Sequence, residues 1–477
     1  MSLDNQFLDI QGIVMRGYGY MKAANFFLLS INDTTYAKKW LKEHLSSITN
    51  CENKPTVKCL NIAFTKSGFQ KMGLPKETVE MFSRDFKDGM ITEHKQRILG
   101  DIAEDAPKYW EWGGPLEQGK LDILLMLYCS DDENLKKESQ KLEIEFSKSN
   151  LHLLHKLNTS QEVLESRKEH FGFTDGLSQP IINTMNRKTK EPEPEENRIA
   201  PGEILLGHEN EYGKFAYSPK IKKIDDDSLI DFGKNGTYLV FRQLEQDVKT
   251  FWEYMNSQTQ NEEERNMLAA KMVGRWPNGA PLVNHPTQEP KQYNGDTEPF
   301  MFINKSNDAF GFKCPIGSHI RRINPRDAFT VNHHEPLPSN KKLKKEIKKS
   351  IEFVNKHRIV RRGRPYGKPL SSTLDPNEML NAPADSEKRG IQFICLNANI
   401  ARQFELLQQT WVSNKFKGLY NDPDPIIGGP NGKGKDFTIQ SEPLRKKVHN
   451  LPKFVSVKGG AYFFLPSIKA LGVLSNL

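Results

Sequence analysis

Two stretches of this 477-residue chain hold side chains that could do chemistry together. Glu169-His-Phe-Gly-Phe-Thr-Asp-Gly-Leu-Ser-Gln-Pro180 sets Asp175 in a loop between Gly172 and Gly176. Glycines permit unusual backbone angles and the close approach of a flat ligand, so this loop can present an acid into a pocket. The bland alternative is a tight turn, the commoner use of Asp-Gly. Cys314-Pro-Ile-Gly-Ser-His-Ile-Arg-Arg-Ile-Asn-Pro-Arg-Asp327 surrounds His319 with Arg321, Arg322 and Arg326. Haem iron commonly takes one axial histidine, and its propionates need cationic or hydrogen-bonding neighbours. A surface basic patch with an incidental imidazole has the same composition.

Other motifs fit their chemistry less well. Gly429-Pro-Asn-Gly-Lys-Gly-Lys-Asp436 matches a phosphate-binding loop except at its last position, where Asp436 replaces the hydroxyl residue that holds magnesium. It also follows Asp422-Pro-Asp-Pro425 rather than a strand. The pairs His333-His334 and His152/His155 have no companion cysteine or carboxylate at a recognised metal-ligand spacing.

Three motifs in one order carry a resemblance. Gly172-x-x-Asp175-Gly176 is followed by Ser318-His-Ile-Arg321 with Asn324-Pro-Arg326, and then by Arg361-Arg-Gly-x-Pro-Tyr-Gly367. In this the chain resembles the dye-decolourising peroxidase family. The likeness extends through Gly12–Gly19, Gly236–Gln243, Gly274–Pro281, Asn397–Ile400 and Gly460–Pro466, and with the chain length it is similar to the family's long-chain bacterial branch.

The resemblance implies an α+β fold of two ferredoxin-like domains, of the dimeric α/β-barrel type, with antiparallel sheets flanked by helices and haem b in the C-terminal one. It implies that Asp175 is the distal acid–base residue, Arg361 the distal cation and His319 the axial iron ligand. Gly176, Ser178, Gln179, Arg242 and Arg326 are the implied cofactor-binding residues. Asn399 aligns with a strand-to-helix corner where some shorter members supply an aspartate. A carboxamide accepting from the axial histidine there would be the weaker acceptor and would raise the iron potential. Hydrogen peroxide and small aromatic reductants are the implied partners, with neither nucleic acid nor membrane, in a monomer or homo-oligomer.

Peroxide must lose a proton from one oxygen and regain it on the other, so one group serves as base and then acid. A carboxyl group ordinarily titrates near ~3.9, which predicts an acidic optimum for dye oxidation unless burial intervenes. A guanidinium beside it stabilises charge as the O–O bond breaks. Arg361 lies 42 residues after His319, beyond a lysine-rich insertion. Bulky dyes would need electron hopping through surface aromatics, although Trp411, Tyr366 and Tyr462 read first as core. The rival function is haem storage, transport or iron release, which needs His319 but not Asp175 and Arg361 together. Cargo for a protein shell is disfavoured, because the chain ends directly after its last family motif.

These residues need elements to hold them. Apolar runs predict strands around Ile13–Met15 and Ala24–Leu29, from Val57 to Phe64, from Leu121 to Tyr128, from Gly236 to Arg242 and from Gly390 to Leu396. Trp40, Leu41, His44 and Leu45 predict a helix after Thr34-Thr35, Val248, Phe251, Trp252 and Met255 predict another, and Ile400–Trp411 a third. The length predicts about two structural units, drawn as residues 1–234, carrying the Asp175 loop, and 235–477, carrying His319.

Composition bounds the rest. The chain is 36% hydrophobic and 27% charged, with 27 Phe and 13 Tyr, enough apolar material to exclude wholesale disorder. Part of the net charge of +8 comes from Lys341, Lys342, Lys344, Lys345, Lys348 and Lys349, read as a solvated helix face above Leu343 and Ile347. Five scattered cysteines, Cys51, Cys59, Cys129, Cys314 and Cys395, argue against a disulfide framework and a zinc site. With no apolar stretch of ~20 residues and no signal-like start, a cytoplasmic protein is expected.

Overall fold

In the computed structural model, residues 6–183, 197–222, 228–293, 300–304, 306–331, 339–413, 422–429 and 435–477 are described. Nine strands form the main sheet: β1 (Ala23–Ile31), β2 (Lys58–Phe64), β3 (Ile123–Cys129), β4 (Leu151–Asn158), β5 (Thr237–Gln246), β6 (Val360–Arg361), β7 (Arg364–Tyr366), β8 (Gly390–Asn397) and β9 (Val455–Leu465). Their order is β6-β8-β5-β9-β2-β3-β1-β4, with β7 also on β8. Every pairing is antiparallel. The path is open, ending at β6 and β4 rather than closing on itself.

Four early strands and five late ones therefore meet at the β9–β2 seam, where Phe464 faces Phe64. The central strands are continuous apolar runs because both sheet faces are covered. In β1, Phe27 and Leu29 enter one core while Ala24, Phe26 and Leu28 enter the other. Helices Thr34–His44 and Ile468–Asn476 pack on each other, so the last helix lies over the first. Asp33 caps the former by accepting from the Tyr36 N–H at 3.1 Å, one residue ahead of the expected threonines.

Two segments depart from their expected form. Ile13 and Val14 lie in a single 3-10 turn, Gly12–Val14, rather than in a strand. Their carbonyls accept from Arg362 at 2.6 and 2.7 Å and so serve a guanidinium instead of a ladder. The predicted helix at Ile400–Trp411 is wound as π-helix over Ala401–Glu405 and Leu407–Val412. Buried polar anchors accompany that winding. Gln403 donates to the carbonyls of Glu203 and Arg358, and Glu405 accepts from Lys95 and Tyr462.

The lysine-rich segment is the helix Asn340–Asn355. Leu343 and Ile347 pack inward, and Ser350 Oγ donates to the Arg326 carbonyl at 2.8 Å while accepting from the Phe329 N–H at 2.7 Å. The insertion thus buttresses the turn that carries Arg326. All five cysteines are free and buried. Among the described residues no helix is long and apolar enough to cross a membrane.

Candidate active site

The Asp175 loop is built by backbone pairing and by one glycine that admits no substitute. Gly172 has φ +93°, and a Cβ there would lie 2.7 Å from the Leu374 carbonyl oxygen and 2.8 Å from Met379 Cε. Glu169 accepts from the N–H groups of Phe171 and Phe173 at 2.9 and 3.0 Å, and burial pushes its carboxyl up to about 7. His170 Nε2 donates to the Tyr366 carbonyl at 2.7 Å, tying the loop to β7. The Asp175 N–H donates to the Arg167 carbonyl at 3.0 Å.

Past this anchor the loop opens. The Asp175 side chain is 44% exposed, and a Cβ on Gly176 would meet nothing within 4 Å. Asp175 Oδ1 lies 3.6 Å from Arg361 Nη1. Arg361 is fixed from two directions: Nη2 donates to the Leu177 carbonyl at 2.7 Å, and its backbone N–H donates to Gln179 Oε1 at 3.0 Å. Strand β6 thus brings a guanidinium beside a carboxylate that stands 186 positions earlier in the chain.

His319 opens the short helix His319–Ile323 after Ser318. Its Nδ1 donates to Asp424 Oδ2 at 2.9 Å; the direction follows because an ionised carboxylate only accepts. Asp424 is fully buried, and its other oxygen accepts from the N–H groups of Ile426 and Ile427 at 2.9 and 3.0 Å. Burial works to raise the Asp424 carboxyl, but the neighbouring His319 and Arg322 outweigh it and hold it below the ordinary range. Nε2 of His319 makes no hydrogen bond among the described residues. A histidine oriented through one nitrogen by a carboxylate, with the other uncommitted, is the donor arrangement of an axial metal ligand.

Arg326 joins the two groups. It follows His319 by seven positions, yet its Nη2 donates at 3.1 Å to Ser178 Oγ, three positions after Asp175. Arg275 Nη2 donates to the same oxygen at 2.8 Å, and both guanidinium groups lie over the Phe300 ring, at 4.0 Å for Arg326 and 5.2 Å for Arg275. Arg358 Nη2 reaches the Ser178 carbonyl at 3.3 Å. Ser178 and Arg326 both hold positive φ, +56° and +53°, a conformation that non-glycine residues keep only when their surroundings enforce it.

Two expected site residues stand elsewhere. Asn399 does not meet His319: its Oδ1 accepts from the Arg402 N–H at 2.9 Å, so it caps the turn that follows β8, and the acceptor position belongs to Asp424. Arg242 is buried on β5 against Asp101, with its guanidinium over Trp110. It serves the face that carries the 100–110 loop, not the Ser178 group. Arg321 and Arg322 are also committed to structure, the former to Asp308 at 2.8 Å and the latter to the carbonyls of Trp411 and Asp422. Of the three arginines near His319, Arg326 is the one turned to the Asp175 loop.

The remaining candidates separate in the same way. His155 Nε2 meets Glu117 at 2.5 Å, while His333 and His334 lie outside the described residues. Most of the phosphate-loop lookalike also lies outside them. Its Asp436 lies in a two-stranded ribbon, Lys435–Ile439 with Lys446–Leu451, and pairs with Lys447 and His449.

Comparison with known proteins bears on the fold and the family likeness. A family model described as "DyP dimeric alpha+beta barrel domain" matches residues 9–161. A dye-decolorizing peroxidase of Auricularia auricula-judae is 27% identical over 97% of this chain and 86% of its own length. The chain is similar to dye-decolourising peroxidases over nearly its whole length. It is thus an oxidoreductase of the peroxidase class. Another dye-decolorizing peroxidase, from Mycena epipterygia, is 26% identical over 98% of the chain, and a multifunctional dye peroxidase of Amycolatopsis is 28% identical over 64%. The family's fold spans the whole chain: a crystal structure of the Auricularia auricula-judae peroxidase covers 98% of it with a TM-score of 0.75 at 24% identity. Among these relatives the full-length likeness is to fungal proteins, and the Amycolatopsis protein matches over a shorter stretch.

The residues present fit haem, the family's cofactor. His319 offers one oriented nitrogen, Arg275 and Arg326 bring two cations together on Ser178 Oγ, and the space beside Gly176 is open.

Proposed function

We propose that this peroxidase holds haem b and reduces hydrogen peroxide to water while oxidising dyes, phenols or other small aromatic one-electron donors. Haem b would supply the iron that binds peroxide and the oxidising equivalents passed to the donor. His319 would hold the iron through Nε2, and Asp424, by accepting from Nδ1, makes that imidazole a stronger electron donor. Arg275, Arg326 and Ser178 would receive the propionates.

Asp175 would take the proton from one peroxide oxygen and return it to the oxygen that leaves as water. Arg361 steadies the anionic hydroperoxide and the charge that develops as the O–O bond breaks. Its two backbone anchors keep it in place without reorganisation. Gly176 and Gln179 shape this pocket, Gly176 by leaving space and Gln179 by fixing the Arg361 backbone. We assign the cofactor to the C-terminal unit, residues 235–477, and the Asp175 loop to residues 1–234.

The single observation that supports this reading is the Arg326–Ser178 contact, which ties the turn after His319 to the loop that carries Asp175. The test is reconstitution with haem followed by absorption spectra on adding peroxide. Asp175→Ala and Arg361→Leu should keep the resting spectrum and lose rapid reaction with peroxide, and His319→Ala should change the resting spectrum itself. Normal turnover in both distal variants would favour the haem-carrier function instead.

A further inference from the structure

A cavity of about 540 Å³ lies against the helix Glu262–Val273, outside the group just described. Met267, Leu268 and Lys271 line it from that helix, Phe312 from the following loop, and Ile439 and Gln440 from the end of the two-stranded ribbon. Its size falls within the range of small-molecule sites, which run from roughly 300 to 1,000 Å³.

Two residues of this lining, Gln440 and Lys271, carry donors without a hydrogen bond among the described residues. Gln440 Nε2 is buried with no hydrogen bond, although Oε1 of the same amide accepts from the Ile316 N–H at 3.1 Å. That bond fixes which way the amide points. Lys271 Nζ has no ion pair or hydrogen bond among the described residues, and burial pushes its ammonium below the ordinary lysine range. A buried donor left unpaired costs free energy that a ligand acceptor recovers. The walls around these donors are apolar and aromatic: Phe312, itself 44% exposed, with Met267, Leu268 and Ile439.

We propose that this cavity binds a small aromatic carboxylate, its anionic head taken by Lys271 Nζ and Gln440 Nε2 and its ring laid against Phe312, Met267 and Leu268. Both of these lining groups are donors, which favours a ligand that brings an acceptor. A neutral aromatic would leave Lys271 unpaired. Glu264 and Glu442 at the rim, offset by Lys446, disfavour a multiply charged anion such as phosphate. The site abuts the turn that ends at His319, because Ser318 Oγ donates to the Lys271 carbonyl and Ile316 to Gln440.

The experiment is titration of the purified full-length protein with benzoate, followed by ligand-observed NMR. Benzoate should saturate, and benzylamine should not. Lys271→Met should weaken benzoate about tenfold or more, the loss expected for a hydrogen bond to a charged group. Lys271→Arg keeps the cation and should bind within about threefold of the parent, which guards against a misfolded methionine variant. Phe312→Ala should weaken binding severalfold, and Arg361→Leu should leave it unchanged. The proposal is overturned by an unchanged affinity in both Lys271→Met and Phe312→Ala, by loss of binding in Arg361→Leu, or by no saturation up to about 10 mM, beyond the weakest affinity such a site is expected to have.

Discussion

His319 donates from Nδ1 to the fully buried Asp424 carboxylate at 2.9 Å, across 105 positions of sequence. This pairing replaces Asn399 as the group that orients the imidazole. Asp424→Asn should therefore lower haem affinity or turnover by about 10- to 100-fold, the usual cost of removing such a supporting partner. It should also raise the iron reduction potential, since a carboxamide withdraws less from the N–H. Haem titration of the apoprotein and spectroelectrochemistry measure the two effects. Asn399→Asp should leave the potential where it was, and a shift equal to that of Asp424→Asn would return the role to Asn399.

Asp175 and Arg361 approach each other to 3.6 Å while both keep open faces. If they act together on peroxide, removing either should cost much of what removing both costs. Asp175→Ala and Arg361→Leu should each reduce the rate of reaction with peroxide by about 100-fold or more. The double variant should fall well short of the product of the two losses. Stopped-flow spectra with peroxide give all three rates. Fully multiplicative losses would mean that the two side chains act independently.

How much of this was legible in the sequence depends on the reach of each interaction. The strands β1, β2, β3, β5 and β8 were visible because an apolar run or an alternation is a local signal. Asp175, His319 and Arg361 stood out as candidates because each sits in a short motif with its own glycines or arginines. Asp424 was not, for its partner is 105 positions away. The Asp422-Pro-Asp-Pro425 stretch signals a fixed turn but says nothing of a histidine. Arg275 was likewise hidden, since its meeting with Arg326 on Ser178 exists only after folding. Arg242 was misplaced because a strand motif does not tell which sheet face an arginine takes.

Arg242 provides a direct test of that face. It is buried against Asp101, whose carboxyl is pushed up to about 6 by burial, against the opposing pull of Arg242. Breaking a buried pair strands the surviving charge, so Arg242→Met should cost about 3 to 5 kcal/mol of stability. The haem spectrum and the rate with peroxide should stay near the parent's in the fraction that folds. Chemical denaturation followed by fluorescence, beside an absorption spectrum, separates the outcomes. A stable protein with an altered haem spectrum would place Arg242 in the cofactor site after all.

His170 gives the Asp175 loop a buried imidazole that resists protonation. Its Nε2 is committed to the Tyr366 carbonyl, and its Nδ1 is buried without a partner, so a second ring proton has nowhere to go. Burial depresses the imidazole from 6.5 to about 4. Between those two values the unfolded chain takes up a proton that the folded chain refuses. The contribution of His170 to stability therefore falls as the pH drops from 6.5 toward 4, by about 3 kcal/mol in all at 1.36 kcal/mol for each unit of the depression, while the raised Glu169 carboxyl works the other way and is common to the parent and the His170→Gln variant. His170→Gln keeps a donor for the Tyr366 carbonyl and removes the titration, so its melting temperature should decline less over that window than the parent's. Parallel melting curves at pH 7, 5.5 and 4 decide the matter, and equal slopes in the two proteins would show that another group governs the decline.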